Sequence, residues 1–373
     1  MPYNMIVEVY YGPASWFQKK RPSKFEALLD IVYKLDEESR RFIYRVEGRE
    51  QPKNSDESVL SHKTVVAESS DYANLTEHSI MNFVEIVRRI NPSKLILQNP
   101  PDRIYQQLDR VFKVNTERFE YPILEIDAIR EFNRDYDKSV IGQPRVKSGL
   151  LAALYQLTRR RSVPVVLMLY GPSGVGKTET AKFINSLLSG TLMRKQFSMY
   201  HTDRFASYIF GGSHSEPSFA HDLLDREPGV ILIDEFDKAN PAFYGAFYQL
   251  FDEGVFEDKN YRLKMGSTLI ICTSNYKSEA DVRTALGDAL CSRFDALIGY
   301  DKLTFDALKE ISEHIVDKKI ECLSDEEKQL LNAEQIKRMI IEKFLNIKDG
   351  DVRKIAKMSE QVISLILVRR MLE

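Results

Sequence analysis

Residues 171–178 read Gly-Pro-Ser-Gly-Val-Gly-Lys-Thr and come directly after the apolar run at 163–170. In this spacing, glycines let successive backbone N–H groups turn inward around a triphosphate. Lys177 adds a positive charge at the β- and γ-phosphates, and the hydroxyl of Thr178 is a ligand for Mg²⁺. Because a helix pattern follows at 178–188, we predict a strand, a loop and a helix that together bind ATP and Mg²⁺.

The composition is that of an ordinary globular protein, with 43% hydrophobic and 29% charged residues among 373. The net charge of −2 gives no support for nucleic-acid binding. Three cysteines, at 272, 291 and 322, have no C-x-x-C spacing, which favours a reducing compartment over disulfides or a zinc site. The six histidines are scattered.

No segment has the pattern of a targeting or membrane-spanning sequence. Residues 1–9 lack a basic region followed by an apolar one. The longest apolar runs, at 163–170 and 362–368, are far shorter than the ~20 residues that span a bilayer. We therefore expect a cytoplasmic protein with no membrane partner.

The first 123 residues mix strand-like and helical periodicity, and we predict a small α+β N-terminal domain of unknown role (1–123). A polar, turn-rich loop at 51–62 interrupts it. Strand-like runs lie at 5–11, 41–46, 64–67 and 95–98, and helix patterns lie at 24–35, 80–90 and 102–112.

From residue 124 onward, short apolar runs alternate with helix patterns, which predicts an α/β fold with a parallel sheet covered on both faces. We assign residues 124–302 to this domain. From 303 to 373 the pattern is helical, which predicts a C-terminal helical subdomain. The runs lie at 163–170, 196–200, 230–233, 267–272 and 296–300, and the helix patterns at 126–136, 146–157, 305–320, 333–344 and 352–368.

Two carboxylates follow an apolar strand in residues 229–235, Gly-Val-Ile-Leu-Ile-Asp-Glu. At the carboxyl end of a parallel strand, Asp234 can hold Mg²⁺ through water. Glu235 can polarise the attacking water as a general base. The alternative is a buried strand that ends by chance in two acidic residues.

A second apolar strand ends in polar groups at 269–275, Leu-Ile-Ile-Cys-Thr-Ser-Asn. The amide of Asn275 can hold the attacking water in line with the γ-phosphate, although a plain strand-end turn has the same pattern. Two arginines, Arg293 in 291–295 and Arg353 in 350–353, can neutralise charge in the transition state. Taken singly, such arginines are most often solvated or structural ion pairs.

The order of these elements resembles that of AAA+ ATPases, and most closely the second ATPase module of Clp-type unfoldases and disaggregases. The adenine-side box of that family resembles Ile141-Gly-Gln143, and its phosphate loop resembles 171–179. The stretches 234–239, 247–255 and 273–275 also match in order. The resemblance gives as nucleotide-binding residues Ile141, Gly142, Ser173, Gly174, Val175, Gly176, Lys177, Thr178 and Glu179, with Thr178 and Asp234 at the metal.

The resemblance also implies roles for three polar residues. It makes Asn275 the first sensor and Arg353 the second sensor in a helical lid. Arg293 resembles the arginine finger that reaches the ATP of a neighbouring subunit. A homo-oligomeric ring, a hexamer, with ATP sites shared between subunits is therefore implied.

One segment departs from the family. Clp unfoldases carry an aromatic pore loop that grips a polypeptide, whereas residues 209–218 read Ile-Phe-Gly-Gly-Ser-His-Ser-Glu-Pro-Ser. This loop is shorter, has no aromatic residue at its tip, and offers little apolar grip. We expect His214 to face solvent and we expect threading to be weak. Residues 298–300 read as a core strand rather than as a protease-docking loop.

Two functions remain open. The first is an ATP-hydrolysing machine that remodels a protein or protein complex, recognised through residues 1–123. The alternative is a nucleotide-dependent assembly switch or scaffold in a regulatory or defence complex, with slow, incidental ATP turnover. A loader acting on nucleic acid has no support from the net charge. Arg159–Arg161 read as a solvated turn or as a basic patch close to the nucleotide.

Overall fold

The structure, a computed structural model, describes residues 5–41, 64–159, 162–199, 202–345 and 352–372. Its strands are β1 (Ile6–Tyr11), β2 (Glu26–Ala27), β3 (Thr64–Ala67), β4 (Lys94–Gln98), β5 (Val114–Arg118), β6 (Val165–Tyr170), β7 (Met193–Gln196), β8 (Ile231–Asp234), β9 (Val255–Glu257), β10 (Arg262–Lys264), β11 (Leu269–Thr273) and β12 (Ala296–Gly299).

The helices, in the same chain order, are α1 (Ala14–Lys20), α2 (Leu28–Arg41), α3 (Glu77–Met81), α4 (Phe83–Ile90), α5 (Asp102–Val111), α6 (Ile126–Ser139), α7 (Pro144–Arg159), α8 (Lys177–Leu187), α9 (Thr202–Phe210), α10 (Phe219–Leu224), α11 (Tyr248–Glu253), α12 (Glu279–Leu286), α13 (Asp288–Cys291), α14 (Phe305–Glu321), α15 (Asp325–Gln329), α16 (Ala333–Leu345) and α17 (Val352–Leu372).

The chain divides into two compact units. The first unit comprises 1–122, 200–228 and 245–266, and the second comprises 123–199, 229–244 and 267–373. Two segments that we assigned to the 124–302 domain therefore pack with the N-terminal residues. The three-domain division at 123 and 302 stays a prediction. The strand-like run at 41–46, the polar loop at 51–62 and Arg160-Arg161 lie outside the described residues.

The first unit contains a wholly parallel sheet with the strand order β2-β3-β4-β1-β5. This corrects the predicted α+β class of the N-terminal residues, because parallel neighbours need crossover connections and define an α/β layer. The sequence pattern missed two strands. Strand β2 is two residues long and precedes a helix, and β5 reads Val-Asn-Thr-Glu-Arg at a mostly exposed sheet edge.

Residues 200–228 and 245–266 contribute α9, α10, α11 and the antiparallel hairpin β9–β10 to the first unit. Phe219, at the start of α10, is fully buried, and its ring lies 5.1 Å from that of Phe256 and 5.9 Å from that of Phe247. His214 lies in the loop before α10 and is only 8% exposed, so the expectation that it faces solvent is wrong. Packing of the loop within the first unit excludes water from its ring.

The second unit contains a parallel sheet with the strand order β12-β6-β11-β8-β7. This confirms the predicted α/β fold. Strand β7 ends at Gln196, where the apolar pattern places a strand at 196–200. The strand itself, Met-Arg-Lys-Gln, is too polar for a hydrophobic pattern to find.

Helices α6, α7 and α8 pack on this sheet around buried Phe132, Leu150 and Ile184. Further along the chain, α14, α16 and α17 form a small core of their own, in which Val316, Ile340 and Ile355 are buried. In the described part of the chain, no helix combines the length and apolar character needed to cross a membrane.

Candidate nucleotide site

The phosphate-binding loop connects β6 to α8 and requires glycine at defined positions. Gly171, Gly174 and Gly176 have φ values of 138°, 78° and 106°, in the left-handed region that other residues adopt only with strain. A Cβ on Gly171 would also lie 2.5 Å from the carbonyl oxygen of Tyr300. The loop therefore brings its backbone close to the segment that follows β12.

Lys177 is the first residue of α8 and is 8% exposed. Its Nζ donates hydrogen bonds to the carbonyl oxygens of Gly171 (2.6 Å) and Pro172 (2.7 Å), and to Oδ1 of Asn275 (3.3 Å). Burial lowers the pKa of this ammonium group to about 8, because desolvation disfavours the charged form. The structure thus brings Lys177 and Asn275 together.

Asp234 ends strand β8 and is 7% exposed. Its Oδ2 accepts hydrogen bonds from Nε (3.2 Å) and Nη2 (2.5 Å) of Arg194, and its Oδ1 accepts one from Oγ1 of Thr273 (2.5 Å). The same Thr273 oxygen accepts a hydrogen bond of 3.0 Å from the backbone N–H of Glu235. These contacts fix the acidic end of β8 against β7 and β11.

Glu235 has a left-handed backbone, with a φ of 56°. This conformation costs a non-glycine residue about 1–2 kcal/mol and turns the chain sharply after β8. Its Oε2 accepts a hydrogen bond of 3.0 Å from Nε2 of Gln196. Hydrogen bonds from Ser198 and Gln196 lower the pKa of the Glu235 carboxyl below its usual range, so the group is an ionised acceptor at neutral pH.

These side chains line a cavity of about 380 Å³ beside the phosphate-binding loop. It brings together ten residues that were predicted from the sequence or by the resemblance: Ser173, Gly174, Val175, Gly176, Lys177, Thr178, Asp234, Glu235, Asn275 and Arg353. Three further lining residues, Arg194, Gln196 and Thr273, were missed. Arg194 and Gln196 occupy alternate positions of the polar strand β7, which share one face of the sheet. Only the register of β7 with β8 could have revealed them.

A second cavity, of about 780 Å³, adjoins the loop and extends to α14. Ile141, Glu179 and Arg353 line it, together with the apolar side chains of Phe183 and Leu303. This lining is suited to a nucleoside, because small-molecule pockets combine apolar walls with a few polar groups. Arg353 lines both cavities; residues 350–351 beside it lie outside the described residues.

Gly142 does not line either cavity. Its φ is 80°, and a Cβ there would lie 2.7 Å from Cβ of Ala307 and 2.9 Å from Leu303. The neighbouring Gln143 is 3% exposed. Its amide bonds to both the N–H (3.2 Å) and the carbonyl (2.9 Å) of Asp301. Gly142 and Gln143 thus pack against the start of the C-terminal helices.

Arg293 follows α13 and does not line either of these cavities. Its Nη1 donates to the carbonyl oxygen of Ala289. Nearby Asp295 accepts a hydrogen bond of 2.8 Å from the backbone N–H of Val166, so it is held at the edge of the sheet. The structure therefore separates Arg293 from the other predicted site residues of its own chain.

The lining residues fit a magnesium–triphosphate group. A loop with three left-handed glycines can accommodate phosphate oxygens close to its backbone. Lys177, Arg194 and Arg353 supply positive charge beside it. Thr178 and Asp234 supply oxygen atoms, the ligand type that Mg²⁺ prefers. Within the described ranges, no group of three or more His, Cys, Asp or Glu residues could hold a metal by itself.

A phosphate-binding loop at the carboxyl edge of a parallel sheet, with acidic and amide side chains on adjacent strands, defines a P-loop nucleotide-binding protein. A family model for the AAA domain (Cdc48 subfamily) matches residues 163–346. Together with the chaperone relatives described in the next paragraph, this match shows that residues 163–346 are an AAA+ ATPase domain of the Clp type.

The matching relatives are longer proteins. Chaperone protein ClpB of Yersinia enterocolitica is 32% identical over 169 residues, which are 42% of this chain and 19% of ClpB. AAA+ ATPase ClpV1 of Pseudomonas aeruginosa is 33% identical over 173 residues, again 42% of this chain and 19% of the relative. ClpB of Chlamydia caviae is 25% identical over 292 residues, or 72% of this chain and 33% of the relative. The aligned part is thus a third or less of each relative.

A solved structure has a similar fold. An Hsp104 chain, from a closed-state cryo-EM reconstruction with ATPγS and FITC-casein, superposes with a TM-score of 0.57 at 18% sequence identity. The match covers 82% of this chain and 61% of the Hsp104 chain. At this identity the likeness concerns the fold alone.

Proposed function

We propose that this protein hydrolyses ATP with Mg²⁺ and uses the reaction to remodel a protein or protein complex, as a ring oligomer with shared ATP sites. The observation that carries the proposal is the 3.3 Å contact between Nζ of Lys177 and Oδ1 of Asn275. This contact places the lysine proposed to bind phosphate beside the amide proposed to position water. Both side chains line one cavity, which Asp234 and Glu235 also line.

Each lining residue has a role in this proposal. Lys177 binds the β- and γ-phosphates, and Thr178 and Asp234 hold Mg²⁺. When bound, Mg²⁺ would neutralise charge on the phosphate oxygens. Glu235 accepts a proton from the attacking water, which Asn275 orients toward the γ-phosphate. Positioning of this kind supplies most of what phosphoryl transfer needs.

Arg293 is the basis for proposing a shared site. A finger that acts on the ATP of a neighbouring subunit must lie away from its own nucleotide, and Arg293 is not among the residues of either cavity. If sites are completed between subunits, phosphate release per subunit rises steeply with protein concentration as rings form. A rate per subunit that is constant across the assembly range would contradict the shared site.

The loop at 211–218, which corresponds to the pore loop of Clp unfoldases, is held in place by contacts within the first unit. The carbonyl oxygen of Gly212 accepts hydrogen bonds from Asn260 (3.2 Å) and Lys259 (3.4 Å). The side chain of His214 is 3% exposed, and its Nε2 lies 3.7 Å from the carboxylate of Glu77. Burial lowers the pKa of His214, which favours its neutral form. A loop held in this way is poorly suited to gripping a moving polypeptide.

The carboxyl edge of the first unit's sheet is also engaged within the chain. Ligands of open α/β sheets bind at this edge. Here the side chains of Gln98 and Asn99, at the end of β4, donate hydrogen bonds to Oδ1 of Asp225 (3.2 and 3.5 Å). Ser69, after β3, bonds to Nε2 of His221 (2.9 Å). A protein partner of residues 1–123 would therefore bind elsewhere on their surface.

The held loop at 211–218 favours the second candidate function, a nucleotide-dependent assembly switch with slow turnover. The candidates differ in what they do to a substrate. Light scattering with ATP, ADP and no nucleotide reports assembly, and unfolding of a tagged fluorescent protein reports threading. Assembly that follows the nucleotide without unfolding supports the switch, and ATP-dependent unfolding supports the remodelling machine.

A further inference from the structure

Arg194 lies on β7 at the edge of the phosphate-side cavity, and the proposed hydrolysis gives it no role. Its guanidinium donates two hydrogen bonds to a single oxygen, Oδ2 of Asp234. The two side chains differ in exposure: that of Arg194 is 42% exposed, and that of Asp234 is 10% exposed. A partly exposed cation therefore covers a nearly buried carboxylate.

The remaining oxygen of Asp234 is also engaged, because Oδ1 accepts the hydroxyl hydrogen of Thr273. Asp234 is the carboxylate assigned to Mg²⁺. A hydrated divalent cation that approaches Asp234 meets the positive charge of Arg194 at the same oxygen. Like charges a few Å apart repel, and the repulsion is larger near a protein surface than in bulk water.

We propose that Arg194 is a positioning residue that occupies the metal-binding carboxylate of Asp234 and competes with Mg²⁺ for it. Through this competition Arg194 sets the Mg²⁺ concentration at which the nucleotide complex forms. Before the metal arrives, the guanidinium also adds a third cation, beside Lys177 and Arg353, around the phosphates. The inference rests on the proposed nucleotide site.

Removing the charge of Arg194 should change the affinity for metal-free nucleotide and the affinity for Mg²⁺ in opposite directions. In Arg194→Gln, a nucleotide without metal loses one favourable charge and binds more weakly. The carboxylate of Asp234 loses its competing cation, so Mg²⁺ binds more readily. A residue that merely supports the fold would weaken both equilibria together, and this difference makes the inference testable.

The experiment measures binding of a fluorescent ATP analogue, first with a chelator and then in a Mg²⁺ titration. For Arg194→Gln we expect the chelator Kd to rise by about three- to tenfold. The Mg²⁺ concentration at half-saturation should fall by a similar factor. The matched control is Arg130→Gln, which removes an arginine on α6 that is 76% exposed, and it should change neither value.

An unchanged or raised Mg²⁺ requirement in Arg194→Gln would overturn the inference, provided that its thermal unfolding matches wild type. If Arg194→Gln unfolds at a lower temperature than wild type, the experiment uses Arg194→Lys instead. That variant keeps the charge but loses the two-pronged contact, and should retain most of the wild-type chelator affinity. A wild-type protein that binds no nucleotide, or binds it equally after Lys177→Ala, would instead refute the proposed function.

Discussion

Nε2 of Gln196 lies 3.0 Å from Oε2 of Glu235 and donates a hydrogen bond to it. The contact joins the last residue of β7 to the proposed general base. Together with Ser198, Gln196 lowers the pKa of the Glu235 carboxyl. A carboxylate held in this way is a weaker base and is less free to turn toward a water molecule.

Gln196→Leu is therefore expected to change the pH profile of hydrolysis. Without the donor, the pKa of Glu235 rises toward its ordinary value, and the active, ionised form is lost at a higher pH as the solution is acidified. We expect the acid limb of kcat to move to higher pH. At neutral pH, kcat should rise by about two- to fivefold, because a less constrained and more basic carboxylate accepts the proton more readily.

The control for this prediction is Gln249→Leu. Gln249 makes a comparable amide–carboxylate contact of 3.1 Å with Glu253 on the exposed side of α11, and its loss should leave the profile unchanged. If the acid limb of kcat does not move in Gln196→Leu, the hydrogen bond from Gln196 does not control the pKa of Glu235.

Binding of nucleotide should draw a proton onto Lys177. Burial lowers its pKa to about 8, and nearby phosphate charge raises it again. The ammonium form is the one that binds, so affinity is fully expressed below pH 8 and declines above it. At pH 8.5 we expect uptake of about 0.7 proton per Mg-ADP, measured by calorimetry in two buffers that differ in ionisation enthalpy.

Lys94→Met is the control, because the side chain of this lysine is 35% exposed, pairs with Glu8 and lines neither cavity. Its proton uptake should equal that of wild type. Uptake near zero in the wild-type protein would show that Lys177 is already fully charged at this pH.

Arg293→Ala should separate nucleotide binding from hydrolysis. Arginine fingers supplied from a neighbour contribute about 10³–10⁵-fold to the rate, so hydrolysis should fall to near background while the Kd for ATP changes little. Mixing Arg293→Ala with Glu235→Gln tests the shared site, since mixed rings contain interfaces with both wild-type groups. Recovery of activity on mixing is expected, and equal loss of binding and turnover would make Arg293 structural.

Asp225 gives the first unit an unusual dependence on pH. Burial raises the pKa of its carboxyl to about 6, and only part of this rise is offset by His221. Because the folded pKa exceeds the unfolded value of about 3.9, the ionised form destabilises the fold above pH 6. This cost is relieved as the pH falls toward 4. The free energy of unfolding contributed by this group therefore increases on acidification.

Asp225→Asn keeps an oxygen that can accept from Gln98 and Asn99 and removes the charge. We expect it to stabilise the protein at pH 7 by about 1–2 kcal/mol, as measured by urea denaturation. Between pH 6 and 4 the variant should lose the wild-type rise in stability. Asp222→Asn, three residues earlier in α10, is the comparison. A destabilised Asp225→Asn at pH 7 would mean that the charge contributes favourably.

The sequence was informative where chemistry follows apolar strands. Asp234 ends β8 and Asn275 lies two residues after the end of β11. The continuous apolar runs of these strands indicate buried parallel strands, so the meeting of the two side chains at one sheet edge could be predicted. Arg194 and Gln196 could not be, because β7 is polar and its register depends on pairing with β8. Likewise, a buried His214 depends on packing against residues such as Glu77, more than a hundred positions away, and no local pattern contains that information.

The central claim is that the cavity containing Lys177 and Glu235 binds and hydrolyses ATP. Its most direct measurement is steady-state phosphate release by concentrated protein, with ATP binding measured on the same samples. We expect wild type to release phosphate, Lys177→Ala to lose binding and release, and Glu235→Gln to bind ATP but release almost none. Phosphate release by wild type that does not exceed that of the two variants would contradict the claim.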